Sequence, residues 1–130
     1  MTNHLINTTV TWLKYNGKII GSDLLEDNKL QIIRKTKIPI KEYKKIYKEV
    51  GYKYNWIGRL KIKETELKEI IHSSLVDIYL MKKNNKIIGF LEMDYRSSKE
   101  IKIVHLGLIE NYIGKGYGKK LLKFAIKRAN

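Results

Sequence analysis

Apolar residues fall at sharply defined spacings over the last two thirds of the chain. Ile40, Tyr43, Ile46, Tyr47 and Val50 recur at helical intervals behind Pro39, which suits a first helical turn, and Gly51 supplies a C-terminal stop. A second helix is predicted from Lys63 to His72, with Leu67, Ile70 and Ile71 on its buried side and Ser73-Ser74 ending it. The pattern then shortens to strand periodicity. Val76 to Lys82 and Lys86 to Tyr95 flank Asn84-Asn85, a tight hairpin signal, and Arg96-Ser97-Ser98-Lys99 turns the chain into a third strand, Glu100 to Leu108. Along that strand Ile101, Ile103 and His105 are expected on one face and Val104, Leu106 and Leu108 on the other. Two apolar faces argue for a central strand covered on both sides. A final helix, Tyr117 to Ala129, turns Leu121, Leu122, Ala125, Ile126 and Ala129 inward.

The first 36 residues are less regular. Thr8 to Leu13 is rich in β-formers and Leu30 to Arg34 is a second apolar run, with turn signals at Asn16-Gly17 and Gly21-Ser22-Asp23 between them. One or two strands are expected there. The order β, β, α, α, β, β, β, loop, α gives a mixed α/β fold in one domain spanning residues 1–130.

Composition narrows the chemistry. The chain has no cysteine, which removes disulfides, thiolate metal sites and cysteine nucleophiles. His4, His72 and His105 are too scattered for a metal site. No stretch approaches the roughly 20 apolar residues of a membrane span, and Met1-Thr2-Asn3-His4 does not begin a signal peptide. Cytoplasm is the default compartment. The formal charge of +14 points at first to nucleic acid. However, lysines supply 23 of the 27 basic residues and only four are arginine, and isoleucine and asparagine are abundant. That mix looks like codon drift in an AT-rich genome, whereas nucleic-acid readers favour the planar arginine fork. A nucleic-acid partner is therefore disfavoured, and the charge attracts anionic ligands in general.

The informative segment runs Leu106-Gly107-Leu108-Ile109-Glu110-Asn111-Tyr112-Ile113-Gly114-Lys115-Gly116-Tyr117-Gly118-Lys119-Lys120. Three glycines at alternate positions, after a strand and opening a helix, let backbone N–H groups converge on an anion at the helix N-terminus. Lys115, Lys119 and Lys120 add charge beside that nest. A Walker loop fails because Gly118-Lys119 is followed by Lys120, and a dinucleotide fingerprint fails because it would need glycine at Lys119. The stretch resembles motif A of the GNAT superfamily of acyl-CoA N-acyltransferases, [QR]-x-x-G-x-[GA], with Gly116 and Gly118 in the two glycine positions. Ile113 stands where the family usually has arginine or glutamine, which removes one polar contact and leaves the backbone nest. The element order matches the family over about residues 30–130.

The resemblance implies a GNAT-like, mainly antiparallel sheet flanked by helices and an N-acetyltransferase that moves the acetyl group of acetyl-CoA onto an amine acceptor. It implies cofactor contacts from Ile113, Gly114, Lys115, Gly116, Tyr117, Gly118 and Lys119, and from the backbone of Leu106 and Leu108. A lysine-like amine, with a pKa of about 10.4, must lose a proton before it attacks. Glu92 is the first candidate base, with Phe90 and Asp94 on its face, and His105 the second. Tyr52, Tyr54, Trp56 and Arg59, between the first two helices, are candidate acceptor-site residues, with Arg59 able to hold a carboxylate. Other readings are a small basic nucleic-acid-binding module and a non-catalytic member of the same fold.

The family fold continues beyond the residue that matches Asn130, with a further strand-helix-strand segment that holds one cleft wall and often a thiolate-protonating tyrosine. The resemblance therefore implies an exposed edge on the Glu100–Leu108 strand, unless a homo-oligomer, a complementing chain or the N-terminal strands cover it. The isolated chain is expected to bind coenzyme A weakly and to acetylate poorly. Micromolar acetyl-CoA binding by the purified monomer in a calorimeter would overturn that expectation.

Overall fold

Asn84 and Asn85 both take left-handed backbone angles, φ 52° and 66°, the geometry that lets a two-residue turn match the twist of the strands it joins. In the computed structural model, which describes residues 29–130 together with the strands His4–Asn7 and Trp12–Tyr15, this turn joins β4 (Val76–Lys83) to β5 (Lys86–Asp94). Those two N-terminal strands are β1 and β2; β3 is Leu30–Arg34 and β6 is Glu100–Leu108. Among the described residues six strands form one sheet in the order β2-β1-β6-β5-β4-β3. Every neighbouring pair is antiparallel except β1 and β6, which run parallel.

Among the described residues four α-helices accompany the sheet: α1 (Ile40–Gly51), the short α2 (Gly58–Lys61), α3 (Glu64–Ile71) and α4 (Tyr117–Ala129). On one face α1 and α3 bring Tyr43, Ile46, Tyr47, Val50, Leu67 and Ile71 against Ile78, Leu80 and Phe90. On the other face Leu121, Ala125 and Ala129 of α4 pack on Tyr79, Leu91, Met93, Ile103 and Leu108. Burying each large side chain of this kind is worth about 1.5–3 kcal/mol. Cover on both faces explains why Val76–Met81 of β4 are all buried, polar Asp77 included. Asp77 is satisfied there by Arg34 and by the Tyr79 hydroxyl.

The expected alternation along β6 is broken at one residue. Glu92 of β5 stands opposite His105, but Met93 stands opposite Ile103, so Val104 is an extra residue in β6. Such a bulge resets the side-chain phase. Ile103 consequently joins the α4 side with Leu108, while His105 turns to the α1 side, so Ile103 and His105 do not share a face as strict alternation predicts.

Among the described residues the N-terminal part holds three strands rather than one or two. Of the β-rich run over residues 8–13 the described part is Trp12-Leu13, which opens β2, and β1 at His4–Asn7 precedes the run. The turn signals at 16–17 and 21–23 lie outside the described residues. The parallel pairing of β1 covers β6 only from Glu100 to Lys102. The exposed edge expected along the whole of β6 is therefore confined, among the described residues, to the stretch after Lys102.

Gly51 also departs from its expected role. It is right-handed (φ −72°) and the chain continues through a 3₁₀ turn, Tyr52–Tyr54, before Asn55 takes the left-handed angle that stops it. The reason for glycine at position 51 is contact: an added Cβ would lie 2.7 Å from the Trp56 Cβ and 2.9 Å from its ring. Gly51→Ala should therefore destabilise the protein by about 1–3 kcal/mol in urea unfolding, against the roughly 1 kcal/mol gain that alanine brings in an exposed helix. A gain in midpoint would show that Trp56 is not seated on the end of α1.

Candidate active site

Glu92 lies in the middle of β5 and is fully buried. A carboxylate in that position must have its oxygens matched by donors, and three elements supply them. The Tyr43 hydroxyl of α1 donates to Oε1 at 2.5 Å, Arg59 Nη2 of α2 donates to Oε2 at 2.6 Å, and His105 Nδ1 of β6 lies 3.3 Å from Oε1. Burial pushes the Glu92 carboxyl up, but the His105 hydrogen bond, the Arg59 charge and Tyr43 outweigh it and hold the group down at about 2. Burial, followed by the Glu92 charge, raises the Tyr43 hydroxyl far above its ordinary range. For Arg59 burial opposes the charge, and the facing Glu92 carboxylate more than restores it, leaving the guanidinium raised. Glu92 is thus an ionised, four-membered hub.

Beside the hub is an open depression of about 330 Å³ lined by Tyr47, Trp56, Arg59, Val104 and His105 among others. The Trp56 ring centre lies 4.7 Å from that of His105, and Tyr47 meets His105 edge-on at 5.0 Å. The Tyr47 hydroxyl accepts the backbone N–H of Arg59 at 3.2 Å, which fixes the start of α2 against α1. Arg59 Nε is buried without a partner among the described residues.

The four residues expected between the first two helices separate. Trp56 and Arg59 line the depression with His105. Tyr54 stacks on Trp56 at 5.2 Å, and its hydroxyl accepts the Leu108 backbone N–H at 3.2 Å. Tyr52 is 79% exposed and borders a different surface, with Lys53, Ile109 and Glu110. Arg59, expected to hold a carboxylate of the acceptor, already holds one belonging to the protein. Tyr43 and Tyr47 were legible only as core positions of α1; helical spacing gives no sign that their hydroxyls do polar work.

The glycine loop follows β6 through a short 3₁₀ turn, Glu110–Tyr112. Gly114 and Gly116 are left-handed, φ 82° and 88°, and a Cβ built on either would meet nothing within 4 Å. Conformation, not crowding, requires glycine there, and the space above both is clear for a ligand. Gly116 caps α4, whose first N–H groups have no partner within the helix. Gly118 differs from the expectation of three equivalent glycines: it sits in the first turn of α4, where a Cβ would make ordinary contact with Leu108 at 3.6 Å. The Tyr117 ring packs against Tyr112 and under Lys83 Nζ, which leaves its backbone rather than its side chain to face a ligand. Exposed Lys115 and Lys119 flank the loop. Left-handed turns, clear space and a helix N-terminus fit a diphosphate.

The Leu108 N–H points away from β5, since Tyr54 receives it, and by strand periodicity the Leu106 N–H points the same way. Both expected coenzyme contacts thus face the β6 edge that β1 leaves uncovered, although Tyr54 already occupies one of them. Among the described residues no cluster of histidine, aspartate and glutamate could hold a metal ion, and no helix is long and apolar enough to cross a membrane.

Residues 40–130 match the Acetyltransferase (GNAT) family, and the chain is a member of it. Solved structures agree in fold. An aminoglycoside acetyltransferase from an uncultured soil metagenomic sample, in complex with sisomicin, superposes with a TM-score of 0.61 at 22% identity, covering 79% of this chain and 71% of that one. An IAA acetyltransferase from Bacillus cereus gives 0.54 at 24% identity, over 77% of this chain and 57% of that one. A GNAT family acetyltransferase from Staphylococcus aureus gives 0.53 at 22% identity, over 75% and 77%. At these identities the likeness is one of fold. No curated protein matches the chain.

The Glu92 hub makes folding sensitive to acid. Its carboxyl is held below the unfolded value, from 4.5 to about 2, so its contribution is fully present above pH 4.5 and is lost as pH falls toward 2. Asp94, held down by Arg96 against its own burial, acts in the same direction. Glu92→Gln should cost about 3 kcal/mol at neutral pH, because it leaves Arg59 with an uncompensated, largely buried charge. It should also flatten the loss of stability between pH 4.5 and 2, as read by urea unfolding at a series of pH values.

Proposed function

We propose that the chain is an acetyl-CoA-dependent N-acetyltransferase whose acceptor is an amine. The observation that carries this reading is the pair of left-handed glycines, Gly114 and Gly116, with clear space above them at the N-terminus of α4. Family membership supports acetyl transfer in general.

In this reading the amides of residues 114–119 bind the coenzyme diphosphate, with Lys115 and Lys119 as counter-charges. The edge of β6 near Leu106 and Leu108 receives the pantetheine arm, and Tyr54 yields the Leu108 N–H as it arrives. Bound acetyl-CoA supplies an activated thioester. The depression walled by Trp56 and Tyr47 takes the acceptor, and the Glu92–His105 pair beside it serves the proton the amine must lose, through whichever atom of the pair the depression exposes. Arg59 shapes this pocket from its place on Glu92.

The test is a panel of amines with acetyl-CoA, followed by thiol release, alongside calorimetry of coenzyme binding. Gly116→Trp should reduce coenzyme binding at least tenfold while costing the fold only about 1–2 kcal/mol for a left-handed side chain. Binding unchanged in that variant, or loss of binding that follows ionic strength alone, would remove the loop as the coenzyme site.

A further inference from the structure

The Glu92–His105 contact fixes more than the position of a ring. The two residues are direct cross-strand partners, and the Val104 bulge turns His105 toward the acceptor depression instead of the α4 core. Glu92 has no free face: Tyr43 and Arg59 hold it from one side and His105 Nδ1 from another. It cannot reach a substrate amine. His105 has no other hydrogen bond among the described residues, which leaves Nε2 as its available atom. From the elements packed around it, the ring meets Tyr47 of α1, Trp56 and Phe90, and the charges facing it are Glu92 and, through Glu92, Arg59.

We propose that His105 Nε2 is the proton acceptor of the transfer reaction and that Glu92 is a positioning residue, which with Tyr43 and Arg59 keeps the imidazole in its Nδ1–H form. An ionised carboxylate can only accept, so the hydrogen on this contact belongs to Nδ1, and the neutral ring must carry its lone pair on Nε2. The acceptor ammonium first gives one proton to solvent. As its nitrogen bonds to the acetyl carbon, His105 Nε2 takes a second proton from that nitrogen. The carbon–sulfur bond breaks and its electron pair leaves on sulfur. The imidazolium returns its proton to solvent, and the thiolate is protonated from solvent. Arg59 is part of the same device, because it balances the Glu92 charge and so leaves the carboxylate no need to take the proton itself.

This assignment rests on the acetyltransferase reading, and the experiment separates the two. Heteronuclear NMR of the imidazole nitrogens in the unmodified protein, at a pH where the ring is neutral, should find His105 protonated at Nδ1. A ring protonated at Nε2 overturns the proposal without touching the coenzyme site. His105→Gln should lower kcat by about 10²–10⁴-fold with KM for acetyl-CoA and coenzyme binding unchanged. A kcat within twofold of the parent overturns the base assignment, whereas loss of coenzyme binding in Gly116→Trp bears only on the loop. Glu92→Gln, which keeps the shape of the side chain, should lower kcat about 10–100-fold and abolish the Nδ1–H preference in the NMR spectrum. Retention of that preference together with a kcat within twofold of the parent would show that Glu92 does not position the ring.

Discussion

The buried carboxylate of Glu92 is the constraint around which one face of this protein is arranged. An ionised group with no access to water must be met by donors, and these come from α1, α2 and β6. Tyr43 ties the middle of α1 to β5. Arg59 anchors α2, a helix of four residues that could not persist without a tertiary partner. His105 links β5 to β6 through side chains at the point where the bulge loosens the ladder. Removing the carboxylate would free all three, so the local fold and the site share a single electrostatic origin.

The two faces of the sheet divide the labour of the family fold. On the α4 face the contacts are apolar and fix the helix whose N-terminus holds the glycine turn. On the α1 face the packing is interrupted by polar groups, and the open depression lies there. Tyr54 ties the depression to the strand edge: it stacks on Trp56 and holds the Leu108 amide at the open edge of β6.

Much of this was legible from residue order. The periodicity of α1, the Asn84-Asn85 turn, the limits of β6 and of α4, and the glycine loop all have local causes, and local causes leave marks on sequence. What was hidden depends on contacts between distant segments. The parallel seat of β1 on β6 pairs residues almost a hundred positions apart, with Leu5 opposite Glu100. The Val104 bulge has no glycine or proline to announce it, so strict alternation misplaced Ile103 relative to His105. Gly51 looked like a helix stop but serves the Trp56 ring. Tyr43 and Tyr47 read as core because helical spacing reports burial and not hydroxyl partners. Glu92 and His105 were each visible as candidates; their direct contact was not.

The bulge also says what kind of change this site can absorb. Side chains along β6 can be exchanged one for another while the backbone keeps its course, but the number of residues between Ile103 and His105 sets which way the imidazole faces. Deleting Val104 would restore strict alternation and carry either the histidine or everything before it to the opposite side of the sheet. The residue count along β6, as much as any side chain on it, decides whether His105 meets Glu92.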